Sequence, residues 1–227
     1  MRYDAVIFDL FGTLVEPLTR DGAKEYQAVM SAALGIAPDA FHHYWSHVTF
    51  EMRSTGVFRT IEENIVYMCD ALGIPAHEEK VAAAAAARHA MVARSLAPRA
   101  DTCSTLARVK ALGHKTGLIS DCSPDVPALF ARTPMAPFID APFFSATAGI
   151  RKPDPRIYRR VCDTLGVAPS RCLFVGDGDS NELTGARNVG MDAILIRVPD
   201  DCGVRRFEDA WTGPRIATLA EVLPLLS

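Results

Sequence analysis

Two hydrophobic periods divide the chain. Ala5-Val-Ile-Phe8 is a continuous apolar run that stops at a carboxylate, Asp9, and turns at Gly12-Thr13. A run this short, apolar on both alternating faces, predicts a fully buried strand of a parallel sheet. From about residue 17 to residue 97 the period becomes helical. Tyr26, Val29, Met30, Ala33 and Leu34 form one stripe ended by Gly35, and Phe41, Tyr44, Trp45 and Val48 form a second. Thr60-Ile-Glu-Glu63 has the form of a capping box and opens a third helix through Ile65, Met68 and Leu72, stopped at Gly73. A fourth starts near Pro75 and carries six alanines, Ala82 to Ala87, the best helix formers. Four helices inserted behind a first strand predict a cap lying over the strand ends.

From Pro98 onward strands and helices alternate. Asp101-Thr102 opens a helix closed by Gly113, and Lys115–Ser120 is the next strand. Ser123-Pro124 supplies an N-cap and a first-turn proline, and Asp154-Pro155 repeats the device after a short strand, Phe143-Phe-Ser145. Cys172-Leu-Phe-Val-Gly-Asp177 is another buried strand ending in a carboxylate. A helix to Val189, the strand Ala193–Ile196 and a terminal helix from about 219 to 226 follow. The alternation predicts an α/β fold, a parallel sheet with helices on both faces. The expected division is a catalytic core of residues 1–16 and 98–227 with a helical cap of residues 17–97.

Composition narrows the class without naming it. With 49% apolar and 22% charged residues the chain matches a soluble globular enzyme rather than a disordered one. The net charge of −3 is spread without basic blocks, so no stretch would neutralise a nucleic-acid backbone. No segment reaches the ~18 apolar residues that span a bilayer, and the N-terminal run is too short for a signal peptide. Six cysteines (Cys69, Cys103, Cys122, Cys162, Cys172, Cys202) form no Cys-x-x-Cys pair, as expected of reduced buried thiols. The chain reads as cytoplasmic, and nothing in it speaks to oligomeric state.

Polar groups punctuate the strand ends: Asp9, Ser120, Lys152, and Asp177 with Glu182. Ligands of open α/β sheets bind beyond the carboxyl ends of the strands, so these groups should converge. A carboxylate can act as nucleophile, a hydroxyl and an ammonium can hold an anionic group, and paired carboxylates suit Mg²⁺. Each has a plainer reading: Asp9 and Asp177 as turn or cap residues, Tyr158 as a core-edge tyrosine, and His43, His47 and Glu51 as a solvated helix face. Cys122 follows Ser120 and is expected to be partly exposed, but nothing marks it as a nucleophile. Met52–Arg59 is either a plain turn or the cap loop that touches substrate, in which case Arg53 and Arg59 would grip a second anionic group.

Four motifs stand in order: Asp9-Leu-Phe-Gly-Thr13, Ser120 after Gly-Leu-Ile, Lys152 in Arg-Lys-Pro-Asp-Pro-Arg-Ile-Tyr158, and Gly176-Asp-Gly-Asp-Ser-Asn-Glu182-Leu-Thr-Gly185-Ala186. Together they resemble the haloacid dehalogenase-like hydrolase superfamily over essentially the whole chain. The resemblance implies a Rossmann-like core with a helical cap and a covalent aspartyl intermediate on Asp9. It implies that Ser120 and Lys152 bind the transferred group, with Gly12, Thr13 and Asp121 also at the substrate. It further implies Mg²⁺ held by Asp9, the backbone carbonyl of Phe11 and Asp177, with Glu182 and Asp179 behind them or acting through water.

Phe11 divides the branches of that superfamily. Phosphatase members carry there an Asp that protonates the leaving oxygen, and loss of such an acid costs about 10²–10⁴-fold. The 2-haloacid dehalogenases carry an aromatic residue, because a halide needs no proton. Dehalogenases, however, have Ser-x-Asn where this chain has Asp177 and Asp179, Asn where it has Asp121, and a cap Arg after an aromatic residue where it has Trp45-Ser46. Five carboxylates crowding one rim would raise each other's pKa unless a cation neutralised them. The leading expectation is Mg²⁺-dependent hydrolysis of a small anionic phosphorylated metabolite, slow and biased toward aryl or acyl phosphates. The alternatives are a metal-independent 2-haloacid dehalogenase, and a degraded member that binds a ligand or partner without turnover.

Overall fold

The computed structural model describes residues 2–198, 203 and 208–226; Cys202 lies outside them. Six strands form one parallel sheet in the order β3-β2-β1-β4-β5-β6: β1 (Ala5–Phe8), β2 (Lys115–Ser120), β3 (Ala141–Phe144), β4 (Cys172–Gly176), β5 (Asp192–Ile196) and β6 (Arg215–Ile216). The first strand is therefore central, and its four residues are fully buried. Its side chains alternate between two cores. Val6 and Phe8 face one, with Leu106, Val109 and Leu219, while Ala5 and Ile7 face the other, with Ile157, Val161 and Leu183. Phe8 pairs with Leu118 on one side and Val175 on the other. That register brings Asp9, Ser120 and Asp177 to one edge of the sheet.

Helices of the core cover both faces: α6 (Thr102–Ala111), α7 (Val126–Phe130), α8 (Ser145–Ala148), α9 (Pro155–Leu165) and α10 (Glu182–Asn188). Asp154 caps α9 by accepting the Arg156 N–H, and Gly166 ends it in the left-handed region. The Ser123-Pro124 expectation fails at α7. Asp125 stands at that N-cap with Pro127 in the first turn, and the Ser123 hydroxyl is taken by two arginines instead. The terminal segment Leu219–Leu226 is 3₁₀ around Pro224 rather than a full α-helix.

Between β1 and α6 lies a wholly helical insertion: α1 (Arg20–Leu34), α2 (Pro38–His43), α3 (Phe50–Ser54), α4 (Ile61–Ala71) and α5 (Glu78–Ser95). The single expected helix around Trp45 is broken into α2, a π-helical turn (Tyr44–Val48) and α3. Thr60 caps α4 from its hydroxyl, but Glu63 reaches back to the Arg59 N–H and not to that of Thr60. Where the chain returns to the sheet, Val15 bridges Pro98, and buried Arg99 donates to the carbonyls of Thr13 and Gly12. The end of the insertion thus clamps the turn that follows Asp9. No helix of the described residues is long and apolar enough to cross a membrane.

Candidate active site

The strand-end residues do converge. Lys152 places its ammonium 2.5 Å from Asp9 Oδ1 and 2.6 Å from Glu182 Oε2, and donates a third, longer bond of 3.4 Å to the Ile119 carbonyl. An ammonium has three donors, so all three are committed to fixing Asp9 and Glu182 against the end of β2. Glu182 is equally committed, its other oxygen accepting the Gly178 N–H at 2.9 Å. Asp177 accepts the Asp179 N–H. Its second oxygen lies on Gly12, where a Cβ would meet it at 2.4 Å. Gly12 also has φ +84°, a conformation glycine holds without strain, so both backbone and space require it.

The turn before α10 is strained. Ser180 (φ 58°) and Asn181 (φ 50°) both sit in the left-handed region, uncommon for residues with a Cβ. This turn sets Glu182 at the first position of α10, fully buried against Lys152.

Three buried carboxylates cluster here: oxygens of Asp9, Asp177 and Glu182 all lie within 4.8 Å of one another, and Lys152 bonds two of them. Burial pushes the Asp9 carboxyl up, and Lys152 pulls it the other way. Burial also pushes Glu182 up; Lys152 opposes this, while Asp9 and Asp177 add to it. Burial alone would lower Lys152, but Asp9, Glu182 and Asp121 outweigh it and hold the ammonium well above its ordinary value. Asp9 Oδ2, Thr13 Oγ1 and Ser120 Oγ are buried without a well-formed hydrogen bond among the described residues, although the Thr13 hydroxyl lies close enough to Asp9 to favour its carboxylate and the Ser120 hydroxyl close enough to Cys122 to favour its thiolate. A cluster of three buried carboxylates, one of whose oxygens makes no well-formed hydrogen bond among the described residues, fits a hard divalent cation such as Mg²⁺.

Asp121 is turned toward the core: it accepts from the Lys152 N–H at 3.0 Å and from Arg151 Nε at 3.3 Å. Arg151 also donates to Ser180 and to Glu51 of the insertion. Tyr158 is fully buried, and its hydroxyl donates to the Glu182 carbonyl at 2.9 Å, so it supports the site from behind. Cys122, expected to be partly exposed, is buried, which pushes its thiol up.

A cavity of about 480 Å³ opens between the rim and the insertion, lined by Phe11, Asp121, Asp179 and Ser180 on one side and by Tyr26, Trp45, Arg53 and Arg88 on the other. Arg53 is in this wall, its guanidinium 4.0 Å from the Trp45 ring and bonded to Ser123, Thr49, Asn64 and the Trp45 carbonyl. Arg59 is exposed and outside the lining. The loop between them presses on the core: a Cβ on Gly56 would meet the Ala146 carbonyl at 2.2 Å. Among the described residues His43 and His47 join no metal-ligating group and lie exposed.

Three arginines carry more of the site than the sequence suggested. Arg99 follows a proline at the end of the insertion, and Arg88 sits in the alanine-rich helix where composition favoured plain packing. Arg151 had only its place beside Lys152 to mark it.

A model described as haloacid dehalogenase-like hydrolase matches residues 3–190. The chain is 25% identical over 197 residues to a glyceraldehyde 3-phosphate phosphatase of Pyrococcus furiosus, covering 86% of this chain and 81% of the relative. It is 28% identical over 202 residues to (S)-2-haloacid dehalogenase H-109 of Pseudomonas putida, covering 85% of each. Among solved structures, a HAD phosphatase from Thermococcus onnurineus superposes with a TM-score of 0.67 at 23% identity, covering 99% of this chain and 98% of that one.

Proposed function

Because the chain belongs to the haloacid dehalogenase-like hydrolase family, we propose that it hydrolyses a small phosphorylated metabolite through a covalent intermediate on Asp9, with Mg²⁺ as cofactor. The catalytic core is residues 1–16 and 98–227, and residues 17–97 are the cap. The observation that carries this reading is the buried trio Asp9, Asp177 and Glu182, with Lys152 bonded to two of them and Asp9 Oδ2 making no well-formed hydrogen bond among the described residues. The phosphatase relative supports it.

Lys152 fixes the Asp9 carboxylate through Oδ1, and that carboxylate attacks phosphorus with one oxygen while the other is free to take the cation. The P–O bond to the leaving group breaks as the aspartyl phosphate forms, and water then hydrolyses that mixed anhydride. Ser120 and Thr13, whose hydroxyls are buried without a well-formed hydrogen bond among the described residues, donate to phosphoryl oxygens that Lys152 attracts by charge. Asp9, Asp177 and the Phe11 carbonyl would hold Mg²⁺, which when bound neutralises phosphoryl charge. Glu182 keeps Lys152 in place rather than serving as a ligand. Phe11 cannot protonate the leaving oxygen, so weakly basic leaving groups are favoured.

A phosphatase screen with and without EDTA tests this. Phosphate release should vanish in EDTA and return with Mg²⁺, and EDTA-insensitive release would overturn the metal assignment. Phe11 and the dehalogenase relative favour a second reading, metal-independent halide release from 2-haloacids. Fluoride or chloride release from haloacetates in EDTA would establish it.

A further inference from the structure

We propose that the far end of the cavity reads a second acidic group, so that the substrate class is an aromatic phosphate carrying a carboxylate across the ring from the reacting phosphoryl. This rests on the phosphatase reading and names its substrate. Three features of the cavity carry it.

The first is size and surface. A phosphoryl group with two or three carbons fills a fraction of about 480 Å³, a volume in the range that encloses drug-sized ligands. The wall is largely apolar, with Phe11, Leu18, Tyr26, Trp45 and Met91 around the space. A flat ring matches it, and a phenoxide is a far weaker base than an alkoxide, the parent phenol having a pKa of about 10 as in tyrosine. That suits a site with Phe11 in place of an acid.

The second is charge. The insertion contributes Arg20, Lys24, Arg53 and Arg88 to the lining and no carboxylate, whereas the core contributes Asp121 and Asp179. The cavity is therefore polarised. Its rim end, at Phe11, Asp121 and Asp179, lies beside Asp9 in the chain and in the turn after β4 rather than on the nucleophile itself, and its cap end presents cations to whatever extends from there.

The third is Arg88 itself. It is 9% exposed, with Nε 3.1 Å from Asp125 and Nη2 3.4 Å from Ser123, while Nη1 makes no hydrogen bond among the described residues. Arg53 shares the Ser123 hydroxyl, so two buried guanidinium groups meet at this one side chain, next to the Arg88–Asp125 pair. A carboxylate at Nη1 would complete the bonding of Arg88. Ser123 lies three residues beyond Ser120, at most about 11 Å along an extended chain. One substituted ring spans such a gap.

The test is calorimetric binding of non-hydrolysable probes to the Mg²⁺-loaded protein: benzylphosphonate against 3- and 4-(phosphonomethyl)benzoate. The better carboxylate isomer should bind about tenfold tighter or more, the yield of one charge-assisted hydrogen bond. In Arg88→Gln/Asp125→Asn, a pair chosen to strand no buried carboxylate, that ratio should fall below about threefold. The ratio is the readout, since general loosening of the cavity would weaken both probes together. Equal affinities in the unmodified protein overturn the proposal and leave the phosphatase reading standing, whether or not the variant folds. A ratio that survives in the variant overturns the role of Arg88. Failure of every probe to bind also overturns the proposal, and the phosphatase reading falls with it only if no ester in the screen releases phosphate.

Discussion

Lys152→Met removes the ammonium that bonds both Asp9 and Glu182. Asp9 and Glu182 then lose bonds of 2.5 and 2.6 Å and face each other and Asp177 across a buried space. Lys152 is 3% exposed and the two carboxylates 6% and 0%, so solvent screening gives little relief. Breaking a buried pair from one side costs about 3–5 kcal/mol, and at 2–4 °C per kcal/mol for a domain of this size Tm should fall by about 6–20 °C. Lys152→Met/Glu182→Gln should recover part of that loss by removing one stranded charge. Acid should help the single variant. Without the ammonium, burial and mutual repulsion raise the folded-state pKa values of Asp9 and Glu182 above their unfolded values of about 3.9 and 4.3. The folded state then binds more protons than the unfolded one, and stability rises as pH falls toward those values. Melting curves in EDTA at pH 8 and pH 5.5 measure both effects. An unchanged Tm at pH 8, or a gap from the parent that widens on acidification, would refute the charge argument.

Other perturbations follow from the same geometry. Phe11→Asp should raise turnover of alkyl phosphates by about 10²–10⁴-fold and of aryl phosphates much less; equal gains on both, in steady-state rates, would deny Phe11 its role in leaving-group choice. Gly185→Ala would push a methyl to 2.6 Å from the Tyr158 hydroxyl and 2.9 Å from Pro153; overpacking of that kind costs about 1–3 kcal/mol, and an unchanged denaturation midpoint would contradict it. Glu51→Gln removes a pair whose acid is 61% exposed; worth about 0–1 kcal/mol, it should move Tm by no more than about 4 °C.

Local patterns in the sequence located the elements whose signals are themselves local. The apolar run of β1, the left-handed Gly35 and Gly166 after α1 and α9, and the Asp154 cap lie where periodicity and turn chemistry put them. Convergence of Asp9, Lys152, Asp177 and Glu182 followed from one topological rule about strand ends. What escaped was set by partners distant in the chain. β6 is two residues long and exists only as an edge on β5. The π turn at Tyr44–Val48 breaks a stripe that reads as one helix. Ser123 looks like a cap, yet its hydroxyl serves arginines 70 and 35 residues away. Lys152 was legible as a charge beside Asp9, but the commitment of all three of its donors depends on where Glu182 and the Ile119 carbonyl come to rest.

Arg53 and Arg88 have a mechanical consequence as well as an electrostatic one. Each reaches from the insertion into the segment after β2, at Ser123 and Asp125, through bonds almost wholly removed from water. Swinging the insertion away would expose or strand two guanidinium groups and a carboxylate at once, a barrier far larger than the loss of the rim pair Arg151–Glu51. The helical layer is therefore latched to the core at Ser123 and Asp125, and any movement of it must first release these buried bonds. The exposed Arg20 and Lys24 line the same cavity, so an anion approaching the latched layer meets two cations at its surface.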